Sequence, residues 1–212
     1  DYRARADKLL SSLAERAQED AQLSMTLGVA YLQAGDAGKA EGLLRRAADM
    51  RPQDNEVKIQ LAKALAKLDK IDDAIAQLKA AAAAEPTRTD IQLELARTYE
   101  SAKRDDDAQK AYEAMLGGKD VVVAARVHAG KFFARKGDLK RAAEQGDAIL
   151  LAEPDNAAGH YLKGEGLLAQ GASRLDDARK ELARAVDTDP EPQYLDAQGR
   201  AAEATVALTG EI

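Results

Sequence analysis

The residues that most often carry out catalysis or bind metals are scarce in this chain and lie apart in the sequence. The 212 residues include no cysteine and two histidines, His128 and His160. Neither histidine has the nearby carboxylate pattern expected of a metal site, so both are predicted to be packing or surface residues. Nucleophile motifs of the Gly-x-Ser-x-Gly type and phosphate-binding glycine loops are also absent from the sequence. We therefore predict a protein that is not an enzyme and that binds no metal and no cofactor.

Clusters of aspartate are the other groups that could hold a cation. They occur at positions 72–73, 105–107 and 176–177. Each cluster is predicted to lie at the start of a helix, where negative side chains interact favourably with the helix dipole. This position favours a role in helix stability over a role in metal binding.

Composition excludes two further classes of protein. The formal net charge is −6 at pH 7, which argues against nucleic-acid binding because phosphate contacts need a basic surface. No segment approaches the length of a membrane-spanning helix. Aromatic residues make up 4% of the chain, so the core is expected to consist mainly of alanine and leucine.

A repeat of about 34 residues underlies the whole chain. Pro52 and Pro86 lie one period apart, and Pro154 lies two further periods on. The same step relates two longer sets, Ala40, Ala74, Ala108 and Ala142, and Leu27, Leu61, Leu95 and Ala129. Apolar residues four apart, such as Leu61 and Leu65, are typical of amphipathic helices. A period of this length indicates a solenoid of stacked helices.

Turn and capping residues mark the helix boundaries within each period. The turns between the two helices of a repeat are predicted at Gly35, Asp69, Gly137 and Gly171. Helix starts are predicted where aspartate or asparagine follows proline, as in residues 52–55 and 154–156.

The register predicts one array. We expect a half repeat at 1–20, repeats at 21–54, 55–88, 89–122, 123–156 and 157–192, and a partial repeat at 193–212, with a two-residue insertion in the fifth repeat. This division predicts about twelve helices. Ala6, Leu10 and Leu13 are expected on the buried side of the first helix, and residues 210–211 are expected to form a turn. Because the chain begins without Met and stops within a unit, we expect a fragment of a longer repeat protein.

Three departures from the repeat predict local differences. Gly117, Gly118 and Asp120 replace the proline-containing linker, which predicts a hinge or an altered pitch between repeats three and four. Gly146 stands where a large residue is usual, so the local packing is expected to differ. Lys163 stands at an apolar position, and its ammonium group is expected to reach out to solvent.

The pattern resembles the tetratricopeptide repeat (TPR), a helix–turn–helix unit with the same period. The resemblance rests on small residues at repeat position 8, as in Gly28, and on larger ones at positions 7 and 24, as in Leu27 and Leu44. It covers nearly the whole chain. The fold that it implies is all-α, a right-handed superhelical solenoid of antiparallel helix pairs.

The resemblance also implies a concave groove, which the first helix of each pair lines with repeat positions 5, 9 and 13. Carried over to this sequence, these positions predict a basic stripe of Lys63, Lys67, Arg97, Lys131 and Arg135. The apolar row beside it consists of Ile59, Leu93, Val127 and Tyr161. Such a surface suits an extended or helical peptide that carries carboxylates.

The basic stripe has a second interpretation, in which its charges only solvate the helix faces. Arg97, for example, has Glu94 and Glu100 within reach as partners. However, Lys63 and Lys67 are like charges four residues apart, an arrangement that costs an isolated helix about 0.2–0.5 kcal/mol. A face selected only for stability would more naturally alternate in sign, so the ligand-surface interpretation stays open beside the solvation interpretation.

Two functions are therefore predicted. The first is a protein–protein interaction scaffold that binds an acidic partner segment in its groove. The alternative is a structural spacer or assembly element of a larger bacterial envelope or secretion complex, with contacts outside the groove. The clamp by which chaperone-binding arrays hold a C-terminal carboxylate is absent, because Met25 and Val29 replace its Lys and Asn. The sequence leaves cytoplasmic and periplasmic locations open and is compatible with a homo-oligomer.

Overall fold

The computed structural model describes residues 16–209 together with residues 8, 12 and 13. Between Ala17 and Thr209 the chain forms eleven α-helices, two 3₁₀ helices and no strand, and residues 8, 12, 13 and 16 are also helical. In chain order the α-helices are α1 (Ala21–Gln33), α2 (Ala37–Met50), α3 (Asn55–Lys67), α4 (Ile71–Ala84), α5 (Thr89–Ser101), α6 (Asp105–Leu116), α7 (Val123–Arg135), α8 (Leu139–Ala152), α9 (Ala157–Leu168), α10 (Leu175–Thr188) and α11 (Pro192–Thr209). The 3₁₀ helices are Ala17–Glu19 and Ala172–Arg174. The predicted positions of Ala6 and Leu10, and the predicted turn at 210–211, lie outside the described residues.

Side-chain caps and acidic first turns account for many of the helix starts. Asp54 accepts hydrogen bonds from the backbone N–H groups of Glu56 and Val57 at 3.0 and 3.3 Å, and so begins α3. Asn156 begins α9 by accepting from the N–H of Gly159 at 3.0 Å. The three aspartate clusters lie in the first turns of α4, α6 and α10, where the helix dipole favours them.

The turn inside each complete helix pair contains one residue in the left-handed region. These residues recur once in every repeat and are Gly35, Asp69, Lys103, Gly137 and Gly171, with φ of 85°, 59°, 56°, 78° and 80°. Glycine adopts this conformation without a Cβ clash, and aspartate tolerates it. Lys103 is the member that the sequence did not indicate, because lysine is uncommon there.

Two compact units make up the chain. Unit one spans residues 1–119 and contains α1 to α6, and unit two spans residues 120–212 and contains α7 to α11. In unit one, α1 packs on α2, α3 on α4 and α5 on α6, and successive pairs stack through the α2–α3 and α4–α5 contacts. Its core is formed by the residues of the repeat, among them the fully buried Ala40, Leu44, Ala74 and Ala108. This is the all-α solenoid arrangement that the repeat predicted.

Unit two stacks in the same way, with α7 on α8, α9 on α10, and α11 against α10. Phe132 and Phe133 fill its first pair, with their rings edge to face at a centroid distance of 5.6 Å. A Cβ at Gly146 would lie 2.8 Å from the backbone N of Lys163 and 2.9 Å from the carbonyl O of Gly159. Glycine at this position therefore allows the α8 backbone to pack directly against α9.

Candidate functional site

A groove of about 750 Å³ runs across the first helices of the three pairs in unit one. The residues that line it include Val29 and Gln33 from α1, Lys63 and Lys67 from α3, and Arg97 and Ser101 from α5. These residues occupy repeat positions 9 and 13 of three successive repeats. Stacking of the pairs therefore brings together side chains that are a full repeat apart in the sequence. We call this surface the unit-one groove.

The charges of the unit-one groove are three cations and one central carboxylate. Glu94 lies 3.5 Å from the Nζ of Lys63 and 3.6 Å from the nearest guanidinium nitrogen of Arg97. Lys67 is exposed, and no described residue forms an ion pair with it. Since Glu94 neutralises one charge, the groove keeps an excess of positive charge.

The apolar part of the unit-one groove differs from the predicted row. Ile59 is only 3% exposed and packs in the core of the unit. Leu93 is half-buried. The apolar side chains that line the groove are those of Val29, Leu32, Ala66 and Leu78. The repeat position of Ile59 could not predict its burial, because the neighbouring helices determine which side of α3 is covered.

A second groove, of about 630 Å³, lies within unit two and contains Val127, Lys131 and Tyr194. The Lys131 ammonium donates hydrogen bonds to both carboxylate oxygens of Glu191, at 3.2 and 2.9 Å. It also lies 5.3 Å from the centroid of the Tyr194 ring. Burial raises the pKa of Glu191, but the contacts with Lys131, together with hydrogen bonds from Gln193 and Tyr194, bring the pKa below its ordinary value. The chain itself therefore supplies a carboxylate to Lys131.

Of the remaining predicted residues of unit two, Arg135 and Tyr161 lie against aromatic rings, whereas Val127 lines the groove. The Arg135 guanidinium lies 5.4 Å from the centroid of the Phe132 ring. Tyr161 is buried against Tyr194, with ring centroids 4.7 Å apart. Burial, followed by the nearby charge of Glu165, raises the pKa of Tyr161 to about 12. Val127 is half-buried and lines the groove.

A buried polar cluster in unit two was missed by the sequence analysis. The Nδ1 of His160 lies 2.6 Å from Glu181, and the Lys163 ammonium lies 3.0 Å from the same carboxylate. Burial raises the pKa of Glu181, and hydrogen bonds from His160 and Lys163 together bring it below its ordinary value. Lys163 is one-third exposed, so its ammonium reaches the surface as expected but is also paired. His160 and Lys163 lie three residues apart on α9, but no short sequence spacing links them to Glu181 on α10.

Glu165 occupies position 9 of the fifth repeat, which is predicted to face the groove, but its side chain lies in the interior of unit two. It is buried and forms an ion pair with Arg200 of α11. Arg200 also binds Asp196 at 3.1 Å. This ion-pair network attaches α11 to α9.

The described part of the chain contains no group of three or more histidine or acidic residues arranged to hold a metal ion. Within the same residues, no helix has the length and apolar character needed to cross a membrane.

Comparison with known proteins identifies the repeat. Two family models described as tetratricopeptide repeat match the chain, one at residues 31–88 and 65–120 and the other at residues 3–55 and 129–191. No curated protein matches the sequence significantly.

Solved structures share the architecture. A thermophilic TPR protein of Thermus thermophilus is 24% identical over 88% of this chain and 99% of its own, with a TM-score of 0.58. YrrB, described as a TPR protein with an unusual peptide-binding site, is 17% identical over 90% of this chain and 97% of its own, with a TM-score of 0.68. A TPR protein of Parabacteroides merdae is 13% identical over 90% of this chain and 74% of its own, with a TM-score of 0.71. At these identities the likeness shows the fold.

Proposed function

Because the chain belongs to the tetratricopeptide repeat family, we propose that it is a non-enzymatic scaffold whose unit-one groove binds an acidic segment of a partner protein. The family fold implies protein or peptide partners. The observation that carries the finer proposal is the arrangement of Lys63, Lys67 and Arg97 around a groove of about 750 Å³. Lys131 and Arg135 are not needed for this proposal, since Lys131 already binds Glu191.

The chemistry of the groove defines the ligand class. Lys63 and Arg97 share one carboxylate, and Lys67 has none among the described residues. A peptide with two or more carboxylates would complete these ion pairs, and Val29, Leu32 and Ala66 would contact its apolar side chains. Gln33 and Ser101 offer hydrogen-bonding groups at the groove wall. YrrB, with its peptide-binding site, provides a structural precedent for a peptide site on a similar fold.

Selection from a displayed library of random peptides tests the proposal. The wild-type chain should enrich sequences rich in Asp and Glu. The triple variant Lys63→Glu, Lys67→Glu, Arg97→Glu should not enrich them, and binding of the selected peptides should weaken from 0.1 M to 1 M salt as the Debye length falls from about 10 to about 3 Å.

A matched control separates the groove from the overall charge. Arg46, Lys79 and Lys110 are exposed cations on α2, α4 and α6, so reversing all three makes the same charge change outside the groove. This control should keep the acidic preference. If both triple variants lost the enrichment of acidic peptides equally, or if the selected peptides carried no acidic residues, the acidic-groove proposal would be refuted. Either result would favour the alternative function, an assembly element with contacts elsewhere.

A further inference from the structure

The groove of about 630 Å³ in unit two, which we call the unit-two groove, carries a charge opposite to that of the unit-one groove. Its lining contains one cation, Lys131, and four carboxylates, those of Glu153, Asp155, Asp189 and Glu191. Because Lys131 pairs with Glu191 at 2.9 Å, three carboxylates remain in excess. The unit-two groove is therefore acidic, whereas cations are in excess in the unit-one groove.

The three carboxylates in excess have no cation to neutralise them within the described part of the chain. Glu153, Asp155 and Asp189 are exposed, and none of them forms an ion pair with a described residue. Glu153 accepts one hydrogen bond, at 2.7 Å from the amide of Asn156, which is a neutral donor. The three acids come from the α8–α9 and α10–α11 linkers. Stacking of the helix pairs thus collects like charges that repel one another until a cation approaches.

A linker of unit one shows which group fits such carboxylates. Glu85 and Glu153 lie two repeats apart and occupy the same repeat position. In unit one the Arg88 guanidinium lies 3.4 Å from Glu85 and 3.1 Å from Glu56. In unit two the residue at the repeat position of Arg88 is Asn156. Unit two therefore keeps the acidic linker but lacks the guanidinium that neutralises it in unit one.

The unit-two groove also holds a cation of the chain itself. The Lys131 ammonium is bound by Glu191 and lies 5.3 Å from the centroid of the Tyr194 ring. A segment with spaced cations suits the remaining carboxylates better than a metal ion does, since no three acids or histidines of the described residues are arranged to hold one.

The unit-two groove is not open because a stacking helix is missing. The first turn of α9 contributes Ala157 and Ala158 to its lining. α9 contacts α7, α8, α10 and α11, so the neighbours that the repeat predicts for it on both sides belong to the described chain. The groove therefore accepts a segment that lies along its wall, and the charge of that wall decides the class of segment.

We propose that the unit-two groove binds a segment of a partner protein rich in arginine and lysine, whose cations pair with Glu153, Asp155 and Asp189. Charge complementarity identifies this occupant. The proposal concerns a different unit and the opposite ligand charge from the unit-one groove, and it does not rest on the function proposed for that groove. With both grooves, one chain would hold an acidic and a basic partner segment.

A fluorescein-labelled peptide of about eight residues, with alternating arginine and alanine, is the probe. Fluorescence anisotropy at 0.1 M salt should show saturable binding to the full chain. The triple variant Glu153→Gln, Asp155→Asn, Asp189→Asn should bind at least tenfold more weakly, because the peptide loses its ion pairs.

A second triple variant controls for net charge. It neutralises three exposed acids outside both grooves, by the substitutions Asp106→Asn, Glu144→Gln and Glu203→Gln. Because the acidic lining of the unit-two groove is unchanged, this variant should bind the peptide as the wild type does.

Thr188→Arg supplies the missing cation from within the chain. Thr188 is an exposed lining residue at the end of α10, where a cation interacts favourably with the helix dipole. The variant should therefore keep its circular dichroism spectrum and lose at least tenfold in affinity. Ala84→Arg is the matched control, because Ala84 is exposed at the same repeat position at the end of α4 and lines neither groove. It should bind the peptide as the wild type does.

Absence of saturable binding, equal affinity of the two triple variants, or undiminished binding by Thr188→Arg would overturn the proposal. Concentration-dependent dimerisation of the chain alone, in sedimentation velocity, that Thr188→Arg abolishes would also overturn it, because the groove would then belong to a second copy. Acidic peptides selected on the unit-one groove should bind the first triple variant and the wild type equally, so the two proposals can fail separately.

Discussion

Glu94 is the residue on which we expect the binding strength of the proposed unit-one groove to depend. It lies between two cations, at 3.5 Å from Lys63 and 3.6 Å from Arg97. Partly exposed ion pairs of this kind contribute only about 0–1 kcal/mol to stability. A ligand carboxylate can therefore take over either cation at little cost to the fold, but it must approach the negative charge of Glu94.

We predict that Glu94→Gln strengthens the binding of acidic peptides. Removing the charge frees both cations and eliminates repulsion, and we expect a gain of about tenfold in affinity, equivalent to about 1.4 kcal/mol. Isothermal titration calorimetry measures the affinity of each variant for the peptides. Glu144→Gln, an exposed acid of unit two, controls for net charge and should leave the affinity unchanged. Weaker binding by Glu94→Gln would show that Glu94 itself contacts the ligand.

The Glu181 cluster predicts a dependence of stability on pH. The pKa of Glu181 lies below its ordinary value of 4.5 because His160 and Lys163 outweigh the effect of burial. A carboxyl group whose pKa is lower in the folded state stabilises that state above its unfolded pKa, and this stabilisation is lost as pH falls through the folded pKa.

We therefore expect Glu181→Gln to be less stable than the wild type at pH 7 and to lose less stability on acidification below pH 4.5. Urea unfolding at a series of pH values measures both. Glu203→Gln, an exposed acid on α11, is the control and should follow the wild-type curve. Parallel curves for Glu181→Gln and wild type would mean that the cluster adds no pH-dependent stability.

At the scale of helices, glycine decides how closely α8 approaches α9. A methyl group at Gly146 would press on the backbone of Lys163 and Gly159, which cannot move aside as a flexible side chain can. We predict that Gly146→Ala destabilises the chain by about 1–3 kcal/mol, as overpacking does elsewhere.

Gly42→Ala is the opposite case, because no atom lies within 4 Å of the added methyl group in α2. Alanine's higher helix propensity should stabilise this variant by up to about 1 kcal/mol. Urea denaturation of both variants provides the comparison. A neutral or stabilising Gly146→Ala would mean that the α8–α9 contact is looser than described.

At the scale of the whole molecule, the division into residues 1–119 and 120–212 predicts separable folding. Repeat arrays gain stability from neighbouring pairs, and about three repeats are needed. Unit one contains three complete helix pairs, whereas unit two contains two pairs and α11. We expect a chain cut at a protease site inserted after Lys119 to yield a folded unit one and a less stable unit two.

Thermal unfolding followed by circular dichroism tests this expectation on the purified fragments. Unit one should unfold cooperatively and bind the selected acidic peptides as the full chain does. An isolated unit one without a cooperative transition would show that the two units depend on each other for folding.

The hinge predicted at Gly117 and Gly118 remains a prediction, although the two glycines now differ. A Cβ at Gly118 would lie 2.9 Å from the Cγ2 of Thr89, so glycine at this position allows the backbone to pack closely against Thr89 within unit one. A Cβ at Gly117 would make only ordinary contacts. Gly117→Ala is therefore the variant that tests backbone freedom, and spin labels on two introduced cysteines can measure it because the chain has none of its own.

The sequence alone determined the repeat unit, the helix pairs and their turns. These features are local: a residue such as Gly35, a cap such as Asp54 and an apolar spacing of four each act within one or two turns of helix, and every repeat contains them again. The same locality explains why the sequence indicated Lys63, Lys67 and Arg97 as neighbours on successive first helices.

Only the tertiary structure decided which of the predicted groove residues a ligand could reach. Ile59 and Tyr161 are covered by adjacent helices, and Lys131 is bound by Glu191, 60 residues further along the chain. Such pairings depend on how helices from different repeats pack, and a side chain's repeat position does not encode them.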